Sequence, residues 1–288
     1  MSSLILGVDA GNHRAKVAGP YGVDSFRTAI CDWFERDVVE IHGDDDMEFE
    51  IGGRRGFAGS IAADEDIFGM GGALFGESKA HEDTKIRVLL AIHRYLAKYS
   101  PAERRLSIVV GQPIKTHKDA EKRLIQEMLI GRHEFVVNGE QQRFTIENVG
   151  VAPEGSGAFF SNPQTGTVRI IDVGSGTINA ATIIDNRHIN NASGTFNFGT
   201  ETVGDAVDLA AIARGIVQAT TRLKWRSSDV VYVCGGVAND ILTYLVAHYP
   251  NARVMTPQLR MSNGGISLLE PVYANAVGNY EIARMTYS

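Results

Sequence analysis

Two short segments hold most of the residues able to do chemistry. Asp9-Ala10-Gly11-Asn12-His13-Arg14-Ala15-Lys16 follows the apolar run Leu4 to Val8, and Asp172-Val173-Gly174-Ser175-Gly176-Thr177 follows Val168 to Ile171. Each reads as a buried strand ending in a carboxylate, then small residues whose backbone amides can approach phosphate oxygens. Lys16 can reach the same phosphates, as can the hydroxyls of Ser175 and Thr177. A carboxylate beside phosphates needs a cation between them, so Asp9 and Asp172 imply Mg²⁺, held through water because that ion dehydrates reluctantly. Either segment alone could be a plain Asp-Gly turn. Together they suggest a clamp on the β- and γ-phosphates of a nucleoside triphosphate, with Asp172 placed to hold the metal or polarise the attacking water. Neither has Walker spacing.

A third segment, Cys234-Gly235-Gly236-Val237-Ala238-Asn239, joins an apolar run to a helical pattern through paired glycines. Such a turn lets a flat purine or its α-phosphate approach the backbone, and its spacing does not separate ATP from GTP.

These segments need elements to position them. Leu4 to Val8 with Ala15 to Ala18, and Val168 to Val173 with Ile178 to Ile184, give strand, Asp-x-Gly loop, strand twice, half a chain apart. This internal repeat predicts two related α/β domains facing one another, with the site in the cleft between them. Ile86, Leu89, Leu90, Ile92 and Leu96 make a helical stripe within 82–98, and Leu124, Ile125, Met128 and Leu129 another within 118–130. Asn138-Gly139 and Asp185-Asn186 are hairpin signals. Further helices are expected over 202–223, 237–248 and 268–284, the last crossing back to the first domain, and a buried strand over 230–234. Residues 52–76 read as surface loops of an inserted lobe, and Asp44-Asp45-Asp46 as a solvated hairpin tip rather than a calcium site.

Composition narrows the classes. A chain of 288 residues with 44% hydrophobic content can bury substantial cores, and 28 basic against 34 acidic residues argue against direct nucleic-acid binding. Any DNA partner is expected to be reached through another protein. Cys31 and Cys234 sit in apolar surroundings and suggest a reducing compartment rather than a disulfide framework. No leader or membrane span is expected, since no run of eighteen uncharged apolar residues occurs. The histidines lack metal-ligand spacing.

The order of the three loops resembles the actin, Hsp70 and sugar-kinase superfamily over nearly the whole chain. Within it, Gly56-Phe57-Ala58-Gly59-Ser60, the stretch from Lys79 to Thr84, Val110-Gly111-Gln112-Pro113 and Val151-Ala152-Pro153-Glu154 are similar to the plasmid-segregating bacterial actins of the ParM and AlfA type. The resemblance implies two ribonuclease-H-like, actin-type domains, residues 1–162 with 268–288 and residues 163–267, and an inserted lobe at about 30–80. It implies a cytoplasmic, filament-forming ATPase or GTPase, loaded with Mg²⁺ and ATP or GTP, that partners itself and a DNA-binding adaptor at a plasmid centromere. It also implies that Glu154 orients the hydrolytic water, and that Glu201 and Gly204 border the ribose and adenine. Gly11, Asn12, His13, Gly174, Gly176, Gly235, Gly236, Val237 and Asn239 complete the expected nucleotide site. The alternative is a small metabolic kinase: Asp9-Ala10-Gly11-Asn12 is reminiscent of the opening of type III pantothenate kinases, although His13 replaces their Thr and no second carboxylate motif is aimed at an acceptor hydroxyl.

Overall fold

The computed structural model describes residues 3–38, 43–65, 78–201 and 208–288. Its first half comprises strands β1 (Leu4–Ala10), β2 (Arg14–Gly19), β3 (Gly22–Arg27), β4 (Ile30–Asp32), β5 (Met47–Ile51) and β6 (Arg54–Ala58) and helices α1 (Ser60–Glu65) and α2 (Glu82–Tyr99). Then come β7 (Arg105–Gln112), α3 (Asp119–Leu129), β8 (Gly131–Val137), β9 (Glu140–Pro153) and α4 (Ser156–Phe159). The second half has β10 (Thr167–Val173), β11 (Ile178–Ile184), β12 (Arg187–His188), β13 (Gly194–Phe196), α5 (Leu209–Arg222), β14 (Val231–Gly235) and α6 (Ala238–Leu245). It closes with β15 (Arg253–Val254), β16 (Gln258–Arg260), β17 (Ile266–Leu268) and α7 (Ala274–Tyr287).

Two larger sheets carry the expected repeat. The described residues form a nine-stranded sheet in the order β3-β2-β1-β7-β9-β8-β5-β6-β4 and a second in the order β12-β11-β10-β14-β15, with β13 beside β11. β1 lies between antiparallel β2 and parallel β7, and β10 lies between antiparallel β11 and parallel β14. The registers match as well: Asp9 faces Lys16 across one hairpin, and Asp172 faces Asn179 across the other. Both central strands are buried by neighbours on either side, which is why they read as nearly unbroken apolar runs. Asn138-Gly139 and Asp185-Asn186 both take positive φ, as two-residue hairpin turns require.

The outer lobe departs from the expected loops. β9 is long enough to run parallel to β7 along one half and antiparallel to β8 along the other, so the first sheet continues into β8, β5, β6 and β4. Gly52-Gly53 is the β5–β6 turn, residues 60–65 are helical, and residues 66–76 lie outside the described residues. Asp45 and Asp46 are likewise not a solvated tip. Asp45 accepts from Arg27 N at 2.8 Å and Ser60 Oγ at 2.9 Å, and Asp46 accepts from Ile61 N at 2.8 Å, fixing the start of α1. Acids at a helix start satisfy amides that have no partner within the helix.

Helix α2 buries the whole predicted stripe against the first sheet and begins at His81, whose ring accepts from Thr84 N. In α3 the stripe is narrower: Ile125 and Leu129 are buried and Met128 packs against them, but Leu124 is exposed. α5 and α6 cover the second sheet. α5 starts at Leu209 and is capped by Asp208; Thr202, where the helix is expected to begin, lies outside the described residues. None of the described helices is long and apolar enough to cross a membrane.

The last helix starts later than its periodicity suggested, because Ile266–Leu268 pairs with β16. α7 then packs across β1 and β7. Contact is possible because residue 7 is glycine: a Cβ there would lie 2.1 Å from Tyr280 N and 2.2 Å from Ala276 O. Both are backbone atoms and cannot rotate away. Gly7→Ala is therefore expected to destabilise the fold by about 3 kcal/mol, the upper end for overpacking. Gly19→Ala would meet only the side chains of Leu6 and Tyr95 and should cost less. Urea midpoints of the two variants check this, and equal shifts would remove the distinction.

Candidate functional site

The carboxyl ends of β1, β7, β10 and β14 open on one cleft of about 1020 Å³. Open α/β sheets place ligands at strand carboxyl ends, where loops are free to present backbone amides. Asp9, Gly11, Asn12, His13 and Lys16 line the cleft from the first loop, and Asp172, Gly174, Ser175, Gly176 and Thr177 from the second. Gly235, Gly236 and Val237 line it from the third, where Gly235 takes φ +103° beneath the carbonyl of Val173. The two Asp loops face each other closely: a Cβ on Gly176 would lie 3.9 Å from Asn12 Nδ2.

Glu154 and Glu201 also line the cleft. Glu201 does so from a turn whose amide donates to Ser175 O at 2.9 Å, and its carboxylate pairs with the His13 ring from the first loop. Asn239 is exposed on α6 and is not part of the lining, and Gly204 lies outside the described residues.

Three carboxylates converge here, and all are buried: Asp9, Glu154 and Asp172. Lys16 Nζ donates to Asp9 Oδ2 at 2.9 Å. Lys79 donates to Glu154 Oε1, and Asn179 Nδ2 donates to Glu154 Oε2 at 3.0 Å. Asn275, reaching in from α7, donates to Asp172 Oδ2 at 2.9 Å while its own Oδ1 accepts from Gly155 N at 3.0 Å.

The same burial has opposite outcomes at the two Asp loops. Burial works to raise the Asp9 carboxyl, but Lys16 and then Lys79 outweigh it and hold Asp9 below its ordinary range. Burial, reinforced by the charges of Glu154 and Asp9, pushes Asp172 up to about 6 against the Asn275 hydrogen bond and Lys16. Cys234, opposite Asp172 on the neighbouring strand, is pushed up by burial and by that carboxylate. Among the described residues no group of three acidic, histidine or cysteine side chains is arranged to hold a bare metal ion. Two carboxylates facing one cleft suit a hydrated ion instead.

Four participants were not assigned a role from the sequence. Asn179 had a signal, for it stands seven residues after Asp172 as Lys16 stands seven after Asp9. Lys79 stood only within a family-like stretch. Thr195, whose Oγ1 donates to Asn179 Oδ1 at 2.7 Å, and Asn275 had none, since each comes from an element remote in sequence.

Residues 7–157 match the sequence profile described as the actin like proteins N terminal domain, just over half of the chain. No curated protein matches. Among solved structures, AlfA from the B. subtilis plasmid pLS32, in its filament, is similar with a TM-score of 0.77 at 21% identity, over 99% of this chain and 100% of that one. An AlfA filament bound to AMPPNP gives the same TM-score and coverage at 19% identity. A 15-stranded ParM filament from Clostridium botulinum gives a TM-score of 0.74 at 16% identity, over 99% of this chain and 100% of that one. At these identities the likeness is one of fold. The metabolic-kinase alternative is not favoured by it.

Proposed function

The chain belongs to the actin-like proteins, and from that premise we propose that it is a nucleoside triphosphatase that assembles into filaments and moves plasmid or phage DNA. The observation that carries this reading is the convergence of two Asp-Gly loops on one cleft, with Lys16 between them and Glu154 beside them. The amides of both loops and Lys16 bind the β- and γ-phosphates from opposite sides. Gly235, Gly236 and Val237 meet the base, for which a Cβ-free Gly236 leaves room: its nearest neighbour would be Val272 Cγ2 at 4.0 Å.

The donor set fits Mg²⁺. Asp9 and Asp172 would hold it through water, and when bound it screens the phosphate charge that two carboxylates alone would repel. Asp172 and Glu154 face the γ-phosphate side, and a carboxylate held by Asn179 can orient a water for in-line attack. Closing on the triphosphate favours addition to a filament end through a heterologous, head-to-tail interface. Phosphate release then loosens the contacts. The filament proteins similar in fold support this reading, including the one bound to AMPPNP. Its acidic balance suits a cytoplasmic protein that captures DNA through an adaptor at a centromere rather than directly.

Electron microscopy of the purified chain, without nucleotide and with ATP or GTP and Mg²⁺, tests this. Filaments with one nucleotide are the expected result and identify the base. No assembly with either, or with slowly hydrolysed analogues, across salt and crowding conditions would refute it.

A further inference from the structure

Both oxygens of Glu154 are engaged: Lys79 holds Oε1, and Asn179 holds Oε2 at 3.0 Å. A carboxylate paired with an ammonium is a weaker base toward a water than one held by an amide alone. Yet the two partners differ in kind. Asn179 is fixed in the β10–β11 hairpin opposite Asp172, and its own Oδ1 is tied to Thr195. Lys79 is a flexible cation on the opposite wall, placed just ahead of α2 by Ser78, whose Oγ donates to Glu121 and accepts from Ala80 N.

Lys79 also bears on the first loop, since its charge is among those that hold the Asp9 carboxyl down. Its ammonium lines the cleft and carries three donors, of which Glu154 takes one. Lys16, the other buried lysine of the cleft, pairs with Asp9 and approaches the phosphates from the first loop. A terminal phosphoryl entering between the loops carries more charge than one carboxylate and competes with Glu154 for Lys79.

We infer that Lys79 is the γ-phosphoryl sensor of this cleft: it pairs with Glu154 when the terminal phosphoryl is absent and moves to that phosphoryl when it is present. The move frees Glu154 Oε1 to accept from the attacking water while Asn179 keeps the carboxylate in place. Triphosphate recognition and activation of Glu154 are then one exchange of partners. The exchange moves no covalent bond. It deepens the nucleotide-clamp reading and rests on it.

The test is the affinity of the full chain for ADP and for AMPPNP, or for the guanosine pair if that is the base bound. Measurements are made with Mg²⁺ at protein concentrations too low for assembly. Lys79→Met is expected to weaken triphosphate binding by about 10- to 100-fold and to leave diphosphate binding nearly unchanged, the scale of one charge-assisted contact. Lys79→Arg should recover most of the difference. Because Lys79→Met also strands a buried Glu154, Lys79→Met with Glu154→Gln is measured beside it. A sensor predicts that the double variant still fails to prefer the triphosphate. Recovery of that preference in the double variant would mean that Lys79 only neutralises Glu154, and would overturn the inference. Equal losses for di- and triphosphate, or none, would overturn it too. If the wild-type chain bound neither nucleotide, the clamp itself would fall and the sensor with it.

Discussion

Glu154→Gln is expected to slow phosphate release at saturating nucleotide by about 100-fold, the lower range for losing a general base, and to leave nucleotide affinity largely unchanged. Glutamine keeps the length of the side chain and an oxygen for the Asn179 amide, which lies 3.0 Å from Glu154 Oε2. What it loses is the charge that orients and deprotonates water. The main chain places this group independently of its charge: Glu154 N donates to Gln112 O at 2.8 Å at the end of the β7–β9 pairing. The variant should therefore fold and assemble as the wild type does. Its filaments should outlast wild-type filaments, because the step that loosens subunit contacts is delayed. Phosphate release and pelleting followed together over time give both readings. Hydrolysis at the wild-type rate inside the polymer would move the role to another residue.

Much of this architecture was legible because its signals are local. The two buried strands, the Asp-Gly loops and the hairpin turns at Asn138-Gly139 and Asp185-Asn186 each follow from a few adjacent residues. So did the α2 stripe, where Ile86, Leu89, Leu90 and Ile92 are buried as their spacing requires. What escaped depends on contacts between distant segments. β9 looks like an ordinary hairpin strand beyond Asn138-Gly139, and nothing within it tells that its far half pairs with β7. Asp45 and Asp46 look solvated until α1 supplies the Ser60 hydroxyl for one and the Ile61 amide for the other. Leu124 fits a helical stripe by spacing, yet it is exposed, because spacing alone does not tell how far the neighbouring elements reach. Asn275 is a single polar residue in a C-terminal helix, and its contact with Asp172 spans 103 positions.

The repeat also shows how one scaffold produces two unlike sites. β1–β2 and β10–β11 are the same hairpin in the same register, and residue 16 stands to Asp9 as residue 179 stands to Asp172. Lysine at the first position holds the Asp9 carboxyl below its ordinary range, which suits the proposed role of facing a cation and phosphates. Asparagine at the second supplies no charge to Asp172 and turns its amide to Glu154 instead. With burial and the neighbouring charges, this difference between the two copies separates a carboxyl held below its ordinary range from one pushed up to about 6, the kind of divergence that distinguishes binding from acid-base roles.

That asymmetry gives the second large effect. Asp172 keeps its proton up to about 6 in the folded chain, against an ordinary value of 3.8 for an unfolded one. Between those values the folded state binds more protons than the unfolded state, so its stability declines as pH rises. The contribution is fully present below 3.8 and lost by the time pH passes about 6. Its size, at about 1.4 kcal/mol per pH unit over about two units, is on the order of 3 kcal/mol. Asp172→Asn removes the titration, keeps an acceptor for Asn275, and should make the nucleotide-free chain more stable than wild type above pH 6, with the two curves converging toward pH 4. Urea unfolding of both proteins at half-unit steps gives the difference curve, in which the titrating groups remote from Asp172 cancel. The same variant should hydrolyse nucleotide about 100- to 1000-fold more slowly, since the carboxylate proposed to face the metal and the attacking water is gone. A stability gain with a catalytic loss is the signature of a charge buried for function, which the nucleotide-free fold carries at a cost. A difference curve flat from pH 4 to pH 7 would show that Asp172 is ionised throughout, and the contrast with Asp9 would then have no basis.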